Sequence, residues 1–432
     1  MIYQQPAWVG NSVELVRPHP PTIRDIIRRY YTVWGMYSFA GGFLFGVYPI
    51  FLHSRGLSQL QINSVLATYF LVLFLTDVPT GAFADLLGRR RSYVLGAFLR
   101  VSAFLLYFMA HHYYVFIIAE SIDGIGTTFG NGAIDAWGVD ALDRAGYDGV
   151  KDKLFSRISQ LSTVGFMGSA MIGAYIADVD IAYPWLLGAA GYIVAGVVGA
   201  ILMHDELPRT TKAHIADIPR QIATQVGGGI RAGLGSYTVL MLSIANAITV
   251  AAWAPYWVSW PILFNESLAV GVWVIGWIYC GLSAARLVGA EISARLQGEQ
   301  DQRPARVGML VIAASVMLFL AGLFGGKPAA SLAMLFIMNL FTGAMMPLVQ
   351  SWFNEQIESG NRATLLSFNS TFQTMGGAAG LLFAGRIADT AGIPFEWQIA
   401  GLISLCAAPV FWATRRRRAR ERDEVALAGA AK

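Results

Sequence analysis

Charged residues are scarce in this sequence. Aspartate, glutamate, lysine and arginine together make up 13% of its 432 residues, hydrophobic residues make up 55%, and the mean hydropathy is +0.52. An ordinary soluble domain carries about 25% charged residues. The composition therefore excludes an ordinary soluble domain and indicates a membrane protein.

Cysteine and histidine are too few, and wrongly placed, for several kinds of site. The two cysteines, Cys280 and Cys406, lie far apart inside apolar runs, which excludes a disulfide framework and a metal cluster of the usual spacing. The six histidines lie in loops or at the ends of apolar runs: His19, His53, His111, His112, His204 and His214. Because a buried histidine-based site is thus absent, we expect no enzyme activity, no cofactor and no metal.

Long apolar runs dominate the rest of the chain. A helix needs roughly 17 to 25 apolar residues to cross the hydrocarbon core, and these runs are too long and continuous for the strands of a membrane barrel. The polar first 29 residues do not resemble a signal peptide. We predict twelve transmembrane helices, at 30–53, 60–86, 92–111, 114–141, 154–178, 183–203, 236–264, 268–294, 307–325, 329–354, 362–388 and 394–414.

Basic residues indicate the orientation of these spans. With the N-terminus in the cytoplasm, 26 of the 31 lysines and arginines fall on the cytoplasmic side, three fall outside (Arg55, Lys327, Arg386) and two fall within spans (Arg100, Arg286). The positive-inside rule therefore places both termini in the cytoplasm. The basic tail 415–432 reads as a positive-inside anchor, with contact to anionic lipid headgroups as the alternative. Nucleic-acid binding is not expected.

Three pairs of motifs in the same order indicate an internal duplication. "PIFL" at 49–52 matches "PILF" at 261–264, and "DAWGVDALD" at 135–143 matches "QSWFNEQIE" at 350–358. In spans five and eleven, Gly165 and the "IAD" of 176–178 match Gly376 and the "IAD" of 387–389. We expect an all-α fold with two pseudo-symmetric six-helix bundles, 30–203 and 236–414, flanked by cytoplasmic segments 1–29 and 415–432 and joined by the polar linker 204–235. Two similar bundles that rock about a central site describe a transporter.

The stretch "GAFADLLGRRR" at 81–91 joins spans two and three and carries the most specific motif. Its Gly81, Asp85, Gly88, Arg89 and Arg90 resemble, in type and order, the loop between the second and third helices of the major facilitator superfamily. The resemblance implies a charge network that joins the two halves at the cytoplasmic side when the carrier faces outward. Gly81 is expected to permit close helix approach and Gly88 a sharp turn. The alternative is a positive-inside loop without a gating role. The second half keeps only Glu291 and Arg295 of these charges.

Ionisable residues at membrane depth are costly and indicate function. At about 1.5 Å per residue, Asp77, Arg100 and Asp123 all lie near the midplane, in three consecutive spans. An Asp77–Arg100–Asp123 ion cluster is therefore expected, and a static salt bridge that neutralises Arg100 explains that arginine equally well.

Span four carries the densest set of polar residues. Its five members fall within an arc of about 120° of the helix and are Glu120, Asp123, Thr127, Asn131 and Asp135. We expect this stripe to face a water-filled cavity. Since burial favours the neutral form of a carboxyl group, these acids are candidate proton carriers, with Asp123 and Glu120 first, then Asp77 and Asp135, and Arg100 as an alternating partner.

Two residues of this chain differ from a pattern found in many exporters of the superfamily. Many of its proton-driven exporters carry an arginine where this chain has Glu120, and a proline where it has Ser169. At these two positions the chain differs from the pattern of those proton-driven exporters.

Aromatic residues crowd spans one and seven, which line the central cavity in this architecture. We expect the cavity to include Trp34, Tyr37, Thr127, Asn131, Asn246, Trp253, Tyr256, Asn369 and Gln373, and we assign Trp257 and Trp260 to an interfacial belt. An aromatic cavity with few cations suits a lipophilic or aromatic, even cationic, small molecule. The sequence thus predicts a proton-coupled exporter, monomeric and embedded in lipid in the cell membrane. The alternatives are a proton-coupled uptake symporter for an organic nutrient and a non-transporting sensor.

Overall fold

A computed structural model of the chain describes residues 22–147, 149, 151–204, 231, 233–295, 302–357 and 362–414. These residues are almost entirely helical. Most of the linker 204–235, the first 21 residues and the tail 415–432 lie outside the described residues. The helices are α1 (Ile23–Gly42), α2 (Val47–Ser54), α3 (Gln59–Leu87), α4 (Arg89–Met109), α5 (Tyr113–Arg144), α6 (Lys151–Ala177), α7 (Tyr183–Leu202), α8 (Tyr237–Leu268), α9 (Trp273–Arg295), α10 (Arg303–Leu323), α11 (Pro328–Glu355), α12 (Arg362–Ala391) and α13 (Ile393–Leu405).

Nine membrane-length apolar segments occur among the described residues, and the first of them, Ile23–Ser54, combines α1 and α2. The helices α5, α6 and α12 are 32, 27 and 30 residues long and coincide with the predicted spans four, five and eleven, but are too polar to be recognised by hydropathy. The all-helical membrane fold is confirmed. Several helices extend beyond their predicted ends because polar residues continue the helix past the apolar core; α1, for example, begins at Ile23 with a capping box between Thr22 and Asp25.

The helices pack in two groups. α1 and α3 to α7 contact mainly one another, and α8 to α13 do the same. Contacts between the groups join α3 to α12, α6 to α9, and α2 to α8. The central pairing of the first group is α4 with α5, which places the charged residues of both helices side by side.

Glycine permits the close crossing of α4 and α5. A Cβ atom built on Gly96 of α4 would lie 2.6 Å from the carbonyl oxygen of Gly126 and 2.7 Å from the amide nitrogen of Gly130, both on α5. These distances are below any normal contact, so no larger residue fits without separating the helices. Small residues at such crossings let membrane helices approach closely.

We expect Gly96→Ala to lower the unfolding temperature of the purified protein in detergent. The added methyl group overpacks the α4–α5 crossing, which typically costs about 1–3 kcal/mol. Gly132→Ala is the control. Gly132 lies on α5, the helix that Gly96 contacts, but a Cβ atom built there meets nothing within 4 Å. Equal unfolding temperatures for the two variants would contradict the close crossing.

Candidate functional site

A cavity of about 570 Å³ lies between α1, α5, α6 and α9, at the end of the molecule where α1 begins. Both helix groups contribute to its wall. Hydroxyl groups of α1, α6 and α9 line it together with larger aliphatic, aromatic and charged side chains. The aromatic and charged ones are Tyr30, Trp34, Asp135, Phe166, Tyr279 and Arg286. The cavity thus contains aromatic surface together with one carboxylate and one guanidinium group.

Asp135 is the carboxylate on the wall that the first group supplies. Its Oδ1 atom accepts hydrogen bonds from the Tyr30 hydroxyl at 2.9 Å and from the Trp34 indole N–H at 2.7 Å. Both donors are neutral, so the negative charge is held in place without being compensated. Trp34 and Asp135 are predicted site residues, and they lie together here.

Arg286 is the cation on the opposite wall, and sequence reasoning gave it no role. Its guanidinium lies 4.2 Å from the ring centroid of Trp257 and donates through one terminal nitrogen to Asn339 Oδ1 at 3.0 Å. Its Nε atom is buried without a hydrogen-bond partner, and Arg286 forms no ion pair with the residues that the structure describes. A lone arginine within a predicted span was the signal that could have identified it.

Arg286 also changes the expected character of the cavity. The prediction of a cavity with few cations rested on aromatic composition, whereas folding brings a guanidinium into the wall. The interfacial belt is wrong for Trp260, which is completely buried, and Trp257 packs inward beneath Arg286. Packing of α8 within the second helix group, mainly on α12 and α13, turns these rings toward the protein.

The predicted pair of Arg100 and Asp123 is confirmed inside the first group. Arg100 donates from Nε to Oδ1 at 2.8 Å and from a terminal nitrogen to Oδ2 at 3.1 Å, a two-point contact between α4 and α5. The guanidinium also lies 4.3 Å from the ring centroid of Tyr192. Asp77 is not part of this cluster, because its side chain is exposed on α3 and pairs with no charged group among the described residues.

Glu120 lies one helical turn before Asp123 in an aromatic surrounding. The Tyr107 hydroxyl donates to its Oε2 atom, and Tyr107 stacks on Trp185 with ring centroids 4.0 Å apart. Glu120 is 5% exposed. The carboxyl group is therefore held by a neutral donor and removed from the cavity by packing.

The expectation that the whole stripe of span four faces a water-filled cavity is wrong. Glu120, Asp123 and Thr127 are buried against neighbouring helices, and Thr127 accepts a hydrogen bond from Tyr69 at 3.3 Å. Asn131 is half-buried, and only Asp135 lines the cavity. Partners on α4 satisfy the two acids Glu120 and Asp123, so these carboxylates need no water.

Other predicted cavity residues also lie elsewhere. Tyr37 packs against Arg100 and Tyr192, and Trp253 and Tyr256 are buried within the second group, where Asn339 donates to the Tyr256 hydroxyl at 3.0 Å. These three residues form no part of the cavity wall because α1 and α8 turn those faces into their own helix groups. Asn246 donates to Asn369 at 3.1 Å, and Gln373 is half-buried; none of the three lines this cavity.

The stretch at 81–91 turns sharply between α3 and α4. Gly88 has φ +98°, a conformation that side chains disfavour, which confirms the turn. Asp85 and Arg89 form an ion pair at 2.6 Å, and Arg89 lies 3.9 Å from Asp140 of α5. Gly81 does not mediate close helix approach, because a Cβ built there meets nothing within 4 Å. Arg90 also has an interaction partner.

Two aspartates join the helix groups at the end opposite the cavity. Asp389 of α12 accepts from Ser58 Oγ at 2.7 Å and from the amide nitrogens of Gln59 and Leu60 at 2.7 and 3.2 Å, at the start of α3. Asp178 accepts from the amide nitrogen of Val272 at 2.7 Å, just before α9. We call Asp178 and Asp389 the capping aspartates.

The capping aspartates are the last residues of the duplicated "IAD" motif. Each carboxylate satisfies amide groups at a helix start, where the helix dipole also favours negative charge. Sequence reasoning used the motif only as evidence of duplication. Asp178 directly follows α6, and Asp389 lies in the last turn of α12. An acidic residue at the end of two equivalent spans was the signal that could have indicated a cap on a neighbouring helix.

Glu396 was also missed. It is 1% exposed, its Oε1 atom lies 3.4 Å from the donating hydroxyl of Ser259, and its Oε2 atom has no partner among the described residues. Acidic residues are common in the first turn of a helix, so nothing in the sequence indicated that this one is buried. Only the packing of α13 on α8 makes it a buried acid.

Comparisons with known proteins agree with this architecture. The family model described as the Major Facilitator Superfamily matches residues 32–232 and 242–430. The solved nucleoside transporter NupG superposes with a TM-score of 0.70 over 90% of this chain and 98% of its own, at 12% sequence identity.

Curated relatives match over a shorter stretch. Quinolone resistance protein NorA of Staphylococcus aureus (strain MRSA252) is 23% identical over 170 residues, 39% of this chain and 43% of NorA. Multidrug resistance protein 2 of Bacillus subtilis (strain 168) is 21% identical over 166 residues, 38% of this chain and 40% of the relative. The chain thus matches less than half the length of these relatives. With the family model covering both helix groups, the chain belongs to the Major Facilitator Superfamily of membrane transporters.

Proposed function

We propose that this transporter moves a small aromatic organic molecule across the cell membrane by alternating access, as a proton-coupled exporter. The observation that carries the proposal is the asymmetry between the two ends of the molecule. The capping aspartates join the helix groups at one end, and the cavity lies between the groups at the other. Such an arrangement is one of the two states that alternating access requires.

The orientation follows from the basic residues. The positive-inside rule places the cavity end, with both termini, in the cytoplasm. In that orientation the structure is an inward-facing state, ready to take a solute from the cytoplasm. The capping aspartates then lie at the outer surface and hold the outer side closed.

Export is supported by the names of the curated relatives, a quinolone resistance protein and a multidrug resistance protein. Their matches span less than half of their lengths. The alternative is proton-coupled uptake, which the likeness to a nucleoside transporter keeps open. Reconstitution into liposomes with an imposed pH gradient separates the two, because the sign of proton movement relative to the solute differs.

Proton coupling is assigned to the acids of α5. Arg100 and Asp123 pair where neither is exposed to bulk water, so breaking the pair during rocking would leave Asp123 buried and favour its protonation. Glu120 lies next to it and is held by a neutral tyrosine hydroxyl. A proton taken up at one side and released when the ion pair re-forms would couple the gradient to the conformational change.

Glu120→Gln and Asp123→Asn test this assignment. We expect neutralising the true carrier to abolish solute movement driven by a pH gradient while downhill exchange in proteoliposomes continues, because binding and rocking do not need the proton. If both variants keep full transport driven by the pH gradient, neither residue carries the proton, and Asp77 and Asp135 become the next candidates.

A control separates coupling from stability in that experiment. Asp123→Asn leaves Arg100 buried without a counter-charge, which costs about 3–5 kcal/mol. The double variant Arg100→Gln/Asp123→Asn removes both charges and should recover stability while coupling stays lost. If recovery of stability also restores coupling, Asp123 has only a structural role.

Asp389→Ala and Asp178→Ala should shift the transporter toward outward-open states. Losing a helix cap costs about 1 kcal/mol, which corresponds to about a fivefold change in population, and the double variant should show roughly the product. The measurement is labelling of Ala174→Cys by an impermeant maleimide from outside, in a background without Cys280 and Cys406; Ala174 is fully buried at the closed end.

Asp180→Ala is the matched control for the capping aspartates. Asp180 accepts a hydrogen bond from the amide nitrogen of Ala182 at 2.8 Å, within its own turn. Its removal should therefore leave the labelling rate unchanged. Equal rates for Asp180→Ala and Asp389→Ala would show that the capping aspartates do not hold the outer end closed.

Asp85→Asn and Arg89→Ala should shift the carrier the other way, toward inward-open states, because the superfamily motif is expected to join the two halves when the carrier faces outward. In the present structure Asp85, Arg89 and Asp140 contact one another within the first helix group. The expected result is faster labelling of Ser162→Cys in the cavity from the cytoplasmic side. Arg91→Ala removes a charge from the same turn without touching the Asp85–Arg89 pair, and serves as the control. If the labelling rate and the transport rate both stay unchanged, the motif has no gating role and only sets the orientation of the spans.

A further inference from the structure

Two opposite charges line the cavity, one on each helix group, and neither forms an ion pair with the part of the chain that the structure describes. Asp135 lies on α5 with neutral donors only, and Arg286 lies on α9 without an ion-pair partner among the described residues. Arg286 is half-buried, and a half-buried charge without a partner is costly, so Arg286 is expected to meet its partner in another state or in a ligand. Asp135 is exposed where it lines the cavity and is open to a ligand there.

Arg286 is oriented for an anion by its neighbours. The face of Trp257 supports the guanidinium plane at 4.2 Å, and Asn339 takes only one of its five N–H groups. The remaining donors include the unpartnered Nε–H. A planar guanidinium held in this way binds a carboxylate through two parallel hydrogen bonds.

Asp135 is oriented for a cation. The hydrogen bonds from Tyr30 and Trp34 both reach Oδ1 and fix the carboxylate beside two aromatic rings. An ammonium group placed there would meet a carboxylate whose Oδ2 atom accepts no hydrogen bond from the described residues. The same rings provide apolar surface for the body of the ligand.

The remaining wall suits a small aromatic body. Phe166 and Tyr279 face the cavity from the two groups with ring centroids 6.3 Å apart, and the buried Ser162 hydroxyl has no hydrogen-bond partner among the described residues. A volume of about 570 Å³ lies within the range of sites for drug-sized molecules. Charge, aromatic surface and volume therefore agree on one class of ligand.

We propose that the cavity binds an aromatic zwitterion, with its carboxylate on Arg286 and its ammonium group on Asp135. This inference rests on the proposed function and names its substrate class. Because the two charges belong to different helix groups, the zwitterion connects both groups at once. A solute with one charge leaves the other wall charge unpaired and binds less tightly.

Three fluorescent probes with the same ring and linker test the inference. Nε-dansyl-lysine is a zwitterion, dansylcadaverine is a cation, and dansyl-aminohexanoate is an anion. Binding is followed by dansyl fluorescence with the full chain in lipid nanodiscs. We expect the zwitterion to bind at least about tenfold more tightly than either singly charged probe, the change expected for one charge-assisted contact.

Variants assign each charge. Arg286→Gln should weaken binding of the zwitterion and the anion at least about tenfold and leave the cation unchanged; Asp135→Asn should do the reverse. Unchanged binding of the unaffected probe shows that each variant is folded. Arg286→Lys should keep part of the preference for the carboxylate. Arg295→Gln is the control, because Arg295 is exposed and pairs with Glu291 outside the cavity.

Three results would overturn the inference. The first is that Nε-dansyl-lysine does not bind, and the second is that the three probes bind with equal affinity. The third is that Arg286→Gln and Asp135→Asn weaken the binding of all three probes equally and that the swapped variant Asp135→Arg/Arg286→Asp restores it. The last result would mean that Asp135 and Arg286 pair with each other. Failure of the proposed function looks different: the probes bind with the expected preference but do not cross the membrane in proteoliposomes.

Discussion

The cost of a charge inside an apolar helix bundle governs this structure. Arg100 is placed deep between helices and is neutralised by a two-point contact with Asp123. That contact requires α4 and α5 to cross closely, which Gly96 allows. The aromatic rings around Arg100 and Glu120 complete a polar cluster that the first helix group holds by itself.

The charge within the second helix group, Arg286, has a different environment. Arg286 is supported by Trp257 and Asn339 but has no counter-charge among the described residues. Arg286 lies on the cavity wall, where a bound ligand is proposed to supply the missing partner. The first group thus holds a paired charge, and the second presents a charge that has no ion-pair partner among the described residues.

Duplication explains how the two groups are joined. The same three residues end the equivalent helices of both halves, and in each case the aspartate caps a helix of the other half. A cap is worth only about 0.5–2 kcal/mol. Each cap therefore adds a small free energy at this end of the molecule, where α3 also packs on α12.

Much of the architecture was readable from sequence, because hydrophobic length, basic-residue asymmetry and a repeated motif are properties of the chain itself. The helical membrane fold, the turn at Gly88 and the pairing of Arg100 with Asp123 followed from spacing along the helices. The polar stripe of α5 was readable too, since helical periodicity alone places Glu120, Asp123 and Asp135 on one side.

What that stripe faces was decided by tertiary structure. Neighbouring helices bury Glu120 and Asp123, and of the acids in the stripe only Asp135 lines the cavity. In the second group Trp257 and Asn339 hold Arg286 at the cavity wall, and Trp253 is buried. Helical periodicity specifies which residues share a face. It does not specify which neighbour covers that face, because the neighbour is distant in sequence and is chosen by the packing of the whole bundle.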